Sequence, residues 1–181
     1  MTVFVSFLRG VNVGGHGRLN MAALKEAHAA LGLHDVQTLL QSGNVLFRSN
    51  LRDRDALGKR IMQEIARRFD LEIDVIVRTL ADVRMIVERG PVSRRLDPRK
   101  LHVMFLDGVP DASHQAALAQ AHKGPEMLEI RGPEIYLYYP DGVGRSKLSG
   151  AFIERKLDVA GTARNWNTLA KIIEAGTKLE R

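Results

Sequence analysis

Apolar positions recur along the chain with two different periods, and the alternation between them outlines the fold. The run "VFVSFL" (Val3 to Leu8) is short, apolar and rich in β-formers, which predicts a strand. Met21, Leu24, Ala27, His28 and Leu31 then return at helical spacing, with Asn20 placed to cap the helix and Gly32 to stop it. "DVQTLLQ" and "NVLFRS" read as two strands joined at Ser42-Gly43, a tight-turn signal. Leu57, Ile61, Ile65 and Phe69 form a helical stripe, and Leu71, Ile73, Val75 and Val77 alternate as in a strand. The order over residues 2 to 78 is β-α-β-β-α-β, the ferredoxin-like arrangement.

The second half repeats much of this grammar. Thr79 and Asp82 resemble a capping box before the helical positions Leu80, Val83, Ile86 and Val87, and Gly90-Pro91 closes that segment. A basic connector, "RRLDPRK", leads to the strand "LHVMFL". Asp111 is expected to cap the helix "ASHQAALAQAH", which Gly124-Pro125 ends. "EMLEI" and "EIYLYY" form a hairpin around Arg131-Gly132-Pro133, and two helices, Phe152 to Leu157 and Trp166 to Ala175, finish the chain. The expectation is an α+β protein of two ferredoxin-like (βαββαβ-type) units, residues 1–79 and 80–181, each an antiparallel sheet with helices on one face. In the first strand Phe4 and Leu8 lie on one face while Val3, Val5 and Phe7 lie on the other, so it should be covered on both, with the second domain as the natural cover. That argues against an open sheet that stacks RNA bases on exposed aromatics.

Composition narrows the chemistry. With no cysteine among 181 residues, disulfides, thiolate metal sites and cysteine catalysis are excluded. The six histidines have no metal-ligand spacing, no Gly-x-Ser-x-Gly elbow is present, and no carboxylate pair stands out, so neither a metal nor a cofactor is expected. No apolar run approaches the roughly 18 residues of a membrane span, and "MTVFVSFLRG" reads as a first strand, not a signal peptide, which points to a cytoplasmic protein without membrane partners. The net charge of +6 is spread over both halves. Nucleic-acid binding, where it occurs, is therefore expected to be weak and electrostatic.

Four polar motifs depart from what simple turns require. "LRGVNVGGHGRLN" (8–20) holds four glycines with Arg9 and Arg18; it is either a long turn needing positive φ or an anion site built of loop N–H groups and a helix N-terminus. It fails the dinucleotide fingerprint, because Asn20 stands where the third glycine belongs and the next strands form a hairpin. "DGVGRSKLSG" (141–150) sets Gly142, Gly144, Arg145, Ser146 and Lys147 before a helix, a recipe for a phosphate cradle, unless Ser146 is only an N-cap. "TARNWNTL" (162–169) is unusually polar for the start of a helix, with Trp166 read as core, and "QSGNV" (41–45) is by itself a turn.

Together, "FLRGVNVGG" with "MAAL", "LLQSGNV", "YLYYPDGVGRSKL" and "TARNWNTL" resemble the pattern of the DUF1697 family, a domain of unknown function, over nearly the whole chain. The departures are Val11 where the pattern has Ile and Leu39 where it has Tyr. The resemblance implies a pair of ferredoxin-like units and names no catalytic residues. It does imply that Arg9, Asn12, Gly14, Gly15, Gln41, Ser42, Asn44, Arg145, Ser146, Lys147, Arg164, Asn165 and Asn167 belong to one signature. The expectation is that these residues line a cleft between the domains. There they would bind a phosphorylated or otherwise anionic ligand: a nucleotide, a nucleic-acid end or a sugar phosphate. The alternatives are an enzyme, a transferase or hydrolase using Ser146 or Ser42, and a purely structural polar network.

Overall fold

The computed structural model describes residues 1–11, 19–91 and 96–181. Of the signature residues, Asn12, Gly14 and Gly15 lie outside the described residues, as does part of the basic connector. The chain forms two compact units, Met1–Glu88 with Lys171–Arg181, and Arg89–Ala170.

In the first unit the order is β1 (Thr2–Leu8), α1 (Met21–Ala30), β2 (His34–Leu39), β3 (Asn44–Ser49), α2 (Arg54–Phe69), β4 (Val75–Thr79) and α3 (Leu80–Glu88). The sheet is antiparallel with strand order β2-β3-β1-β4. Local chemistry sets the helix starts: Asn20 Oδ1 accepts from Ala22 N at 2.8 Å, and Asp53 Oδ1 accepts from Asp55 N and Ala56 N at 3.0 Å. Thr79 and Asp82 exchange two 3.0 Å hydrogen bonds as a capping box. Phe4 and Phe47 stack at 5.8 Å beneath α1 and α2, in one core with Leu24, Leu57, Ile61 and Val77. The other face of β1 is also shielded, with Val3, Val5 and Phe7 all buried. Gly43, in the hairpin, has φ +70°, and a Cβ there would meet Leu8 Cβ at 2.9 Å, so the turn requires glycine on both counts.

The second unit contains β5 (Leu101–Leu106), α4 (Ala112–Ala121), β6 (Met127–Arg131), β7 (Glu134–Tyr138), α5 (Gly150–Leu157) and β8 (Gly161–Asn165). Its sheet order, β6-β7-β5-β8, reproduces that of the first unit position for position. The strand β8 is a departure from the sequence expectation, which has no strand between the last two helices. Its pairing to β5, from Leu106 opposite Gly161 to His102 opposite Asn165, completes the βαββαβ pattern. Met104, Leu106, Ile135 and Leu137 pack with Leu118, Ile153 and Leu157 of the helices as the core of this unit. The last helix, α6 (Trp166–Leu179), starts in the second unit and ends in the first. Leu169 and Ile172 are fully buried, whereas Trp166, expected in the core, is only half-buried. Asp111 precedes α4 as expected, but its side chain makes no capping hydrogen bond.

Candidate anion-binding site

The segment from Tyr139 to Ser149 gives the second glycine- and cation-rich motif its shape. Gly142 N donates to Tyr139 O at 3.0 Å, and the single 3-10 turn Val143–Arg145 follows, with Ser146 N donating to Val143 O at 3.2 Å. The buried Tyr139 hydroxyl donates to Leu148 O at 3.0 Å, tying the end of the loop to its beginning. Burial pushes that phenol up to about 12, so it remains a donor. Ser146 does not cap a helix: Ser149 does, accepting from Phe152 N at 3.2 Å. The Ser146 hydroxyl accepts from Leu148 N at 2.9 Å and donates to Glu126 Oε1.

Glu126 comes from the connection between α4 and β6. His122, at the end of α4, places its Nε2 at 2.9 Å from Glu126 O and 3.9 Å from Glu126 Oε2. Because a carbonyl can only accept, Nε2 carries the proton. The Ser146 hydrogen bond, opposed by desolvation, holds the Glu126 carboxyl below the usual range. Gly124 makes room for this carboxylate: a Cβ at that position would sit 2.0 Å from Glu126 Oε2.

These groups border a pocket of about 670 Å³. Lys123, Arg145 and Lys147 line it, and among the described residues none of the three has an ion pair or a side-chain hydrogen bond. Elsewhere Arg48, Arg54, Arg67, Arg84, Arg99 and Arg131 hold carboxylates, while Lys25, Arg52 and Lys59 also lack an ion pair among the described residues; what distinguishes Lys123, Arg145 and Lys147 is that all three line one pocket. The pocket's own acids are Glu126, engaged by Ser146, and the exposed Asp141.

The remaining signature residues occupy other settings. Arg9 lies 3.5 Å from Asp74, beside a shallow pocket of about 730 Å³ that also has Glu72 on its wall. Gln41 and Ser42 are exposed on the β2–β3 hairpin. Asn44 is fully buried and braces that hairpin, donating to Leu39 O and Ser42 Oγ at 3.0 Å. Arg164 is buried on β8, donating to Thr162 Oγ1 at 2.7 Å and Ala163 O at 2.8 Å, and burial brings its guanidinium down to about 10. The Asn165 amide donates to Pro98, Arg99 and Leu101 carbonyls and accepts from Asn167 N at 3.0 Å, so it anchors a loop and starts α6; the Asn167 side chain is exposed. Among the described residues, Arg145, Ser146 and Lys147 are the signature residues lining the second unit's pocket.

Lys123, Glu126 and His122 are absent from the sequence-derived set. The segment "HKGPE" reads only as the end of a helix, and 20 residues separate Glu126 from Ser146. Among the described residues, no three His, Asp or Glu side chains group as metal ligands would, and no helix is long and apolar enough to cross a membrane.

Relatives of the chain add a fold and a family but no activity. The conserved bacterial protein SP0830 from Streptococcus pneumoniae has a similar structure, with a TM-score of 0.75 at 22% identity, covering 97% of this chain and 98% of that one. No curated protein matches the chain. The family described as "Protein of unknown function (DUF1697)" matches residues 1–136, which contain the first glycine loop and "QSGNV" but not "GRSKL" or "TARNWNT". With three quarters of its length matched, the chain belongs to the DUF1697 family.

Proposed function

We propose that the protein binds a phosphorylated or otherwise anionic small molecule in the pocket of its second unit. The observation that carries this reading is the set of three unpaired cations, Lys123, Arg145 and Lys147, that line one pocket. Like charges gathered without carboxylate partners repel, and an anion that takes charge-assisted hydrogen bonds from them relieves that repulsion. The Arg145 fork suits phosphate or carboxylate oxygens, while the lysines act as point charges. Every residue in this reading belongs to the second unit, so it does not depend on a cleft between domains.

Binding fits the groups better than catalysis by Ser146. A serine nucleophile needs a neighbouring base, and Glu126 is in hydrogen-bond contact. A carboxylate held below its ordinary pKa is, however, a poor proton acceptor near neutral pH. The Ser146–Glu126 contact is better suited to fixing the loop that carries Arg145 and Lys147.

Thermal-shift measurements with inorganic phosphate, pyrophosphate, sugar phosphates and nucleotides test this reading at low salt. At least one anion should stabilise the protein, and the effect should shrink as salt screens the cations. Arg145→Ala should weaken affinity about tenfold while leaving the unliganded melting temperature nearly unchanged. Indifference of the protein to every anion, or full binding by the Arg145→Ala and Lys147→Ala double variant, would refute it.

A further inference from the structure

We infer that the anion bound in this pocket is the 5′-phosphate of a nucleoside, with the base against Phe152. The inference rests on the anion-binding reading and adds the rest of the ligand. Besides its cations, the pocket is lined by Pro125, Leu148 and Phe152. Leu148 is buried and belongs to the core of the second unit. Phe152, on the first turn of α5, packs partly against that core and partly lines the pocket, so its ring is held in place yet accessible. Arg155 and Lys156 set their cationic heads 5.6 and 5.9 Å from the same ring, which keeps further positive charge beside the pocket.

Each part of a mononucleotide has a counterpart here. The phosphate takes hydrogen bonds from Lys123, Arg145 and Lys147. The exposed carboxylate of Asp141 also lines the pocket and makes no ion pair among the described residues, so it is free to accept from the ribose hydroxyls. The planar base covers Phe152 and the apolar lining. Inorganic phosphate would leave most of the 670 Å³ empty, and a sugar phosphate would leave the apolar wall against water. The volume lies in the range of small-molecule sites, about 300–1,000 Å³.

Calorimetric titration of the full chain with AMP, UMP, ribose 5-phosphate and inorganic phosphate tests the assignment. AMP should bind about tenfold more tightly than ribose 5-phosphate, the gain expected from one base–aromatic stack. Phe152→Leu keeps an apolar side chain but removes the ring; it should bring AMP down to the affinity of ribose 5-phosphate and leave ribose 5-phosphate unchanged. Equal affinities for AMP, UMP and ribose 5-phosphate would overturn the nucleoside assignment while the anion reading stands. Failure of all four probes to bind would overturn the nucleoside assignment, while the anion reading falls only if the wider thermal-shift set of anions also leaves the protein unaffected. Should Phe152→Leu not fold, magnetisation transfer between the base protons of AMP and the Phe152 ring in the native protein decides: its presence supports the stack, and its absence with AMP bound overturns it.

Discussion

His28 offers the sharpest quantitative test of the fold. It sits on the inner face of α1 with no solvent exposure, its ring 5.9 Å from that of Phe47. Nδ1 lies 2.9 Å from Leu24 O, so that nitrogen carries the proton, and Nε2, 3.0 Å from Ser6 Oγ, accepts from the hydroxyl. Burial lowers the imidazole from 6.5 to about 4, partly offset by the Leu24 hydrogen bond. The folded state therefore holds His28 neutral. As pH falls through 6.5 the unfolded chain takes up the proton first, so stability is lost between pH 6.5 and pH 4. Integrating the two titrations gives a loss of about 2 kcal/mol from pH 7 to pH 5. His102, also lowered by burial, adds a change of the same sign, so the His28 share must be read as a difference. His28→Gln keeps one donor and one acceptor but cannot titrate, and its stability should fall about 2 kcal/mol less over that interval. The single tryptophan, Trp166, belongs to the second unit, so its fluorescence is the wrong probe. Amide exchange in β1 and β3 reports the first unit directly. Identical pH slopes for the two proteins, or a His28 ring titrating near 6.5 by NMR, would show that the buried neutral imidazole is wrong.

Two glycines give further tests. Gly43→Ala imposes a positive φ on a side chain and drives its Cβ to 2.9 Å from Leu8 Cβ; it should cost about 2 kcal/mol or more, read by amide exchange in the β2–β3 hairpin, and a neutral result would contradict the turn geometry. Gly124→Ala meets only the end of the flexible Glu126 side chain, at 2.0 Å, so the melting temperature should barely move while the Ser146–Glu126 hydrogen bond breaks. The Glu126 carboxyl should then titrate closer to the ordinary carboxylate range by NMR, and an unchanged Glu126 titration would refute that contact.

The parts of the fold that the sequence reveals are those where local chemistry and burial agree. Asn20 with Leu24, Ala27 and His28 defines α1, and the stripe Leu57, Ile61 and Ile65 defines α2, to which the structure adds Asp53 as the cap. Each pairs a side-chain cap with a stripe of period 3.6. Strand β8 carries no such agreement. "GTARN" has neither an apolar run nor a clean alternation, and it is a strand because β5 offers it a ladder from Leu106 to His102. Pairing of this kind is a tertiary fact, and β propensity largely records such context. The same holds for Trp166: its place in an apolar stripe predicts burial, but as the first residue of α6 it is only half covered.

The site divides along the same line. "GRSKL" could be recognised as a loop of glycines and cations before a helix, because the ingredients of an anion site are local. What Ser146 does could not, because its partner Glu126 stands on another element and reaches it only through the packing of α4 and α5. Asn165 errs in the opposite direction: the motif singles it out for a ligand, yet its amide is occupied by three carbonyls and the Asn167 N–H of the chain itself. A polar signature therefore mixes two kinds of residue that sequence cannot separate. Side chains satisfied within the chain, such as the buried Asn44 and the half-buried Asn165, hold loops in shape. Exposed cations left without carboxylates, such as Arg145 and Lys147, are the ones with hydrogen-bonding capacity to give to a ligand. Substitutions should sort them accordingly: changes at Asn44 or Asn165 act on stability, whereas changes at Arg145 or Lys147 act on binding.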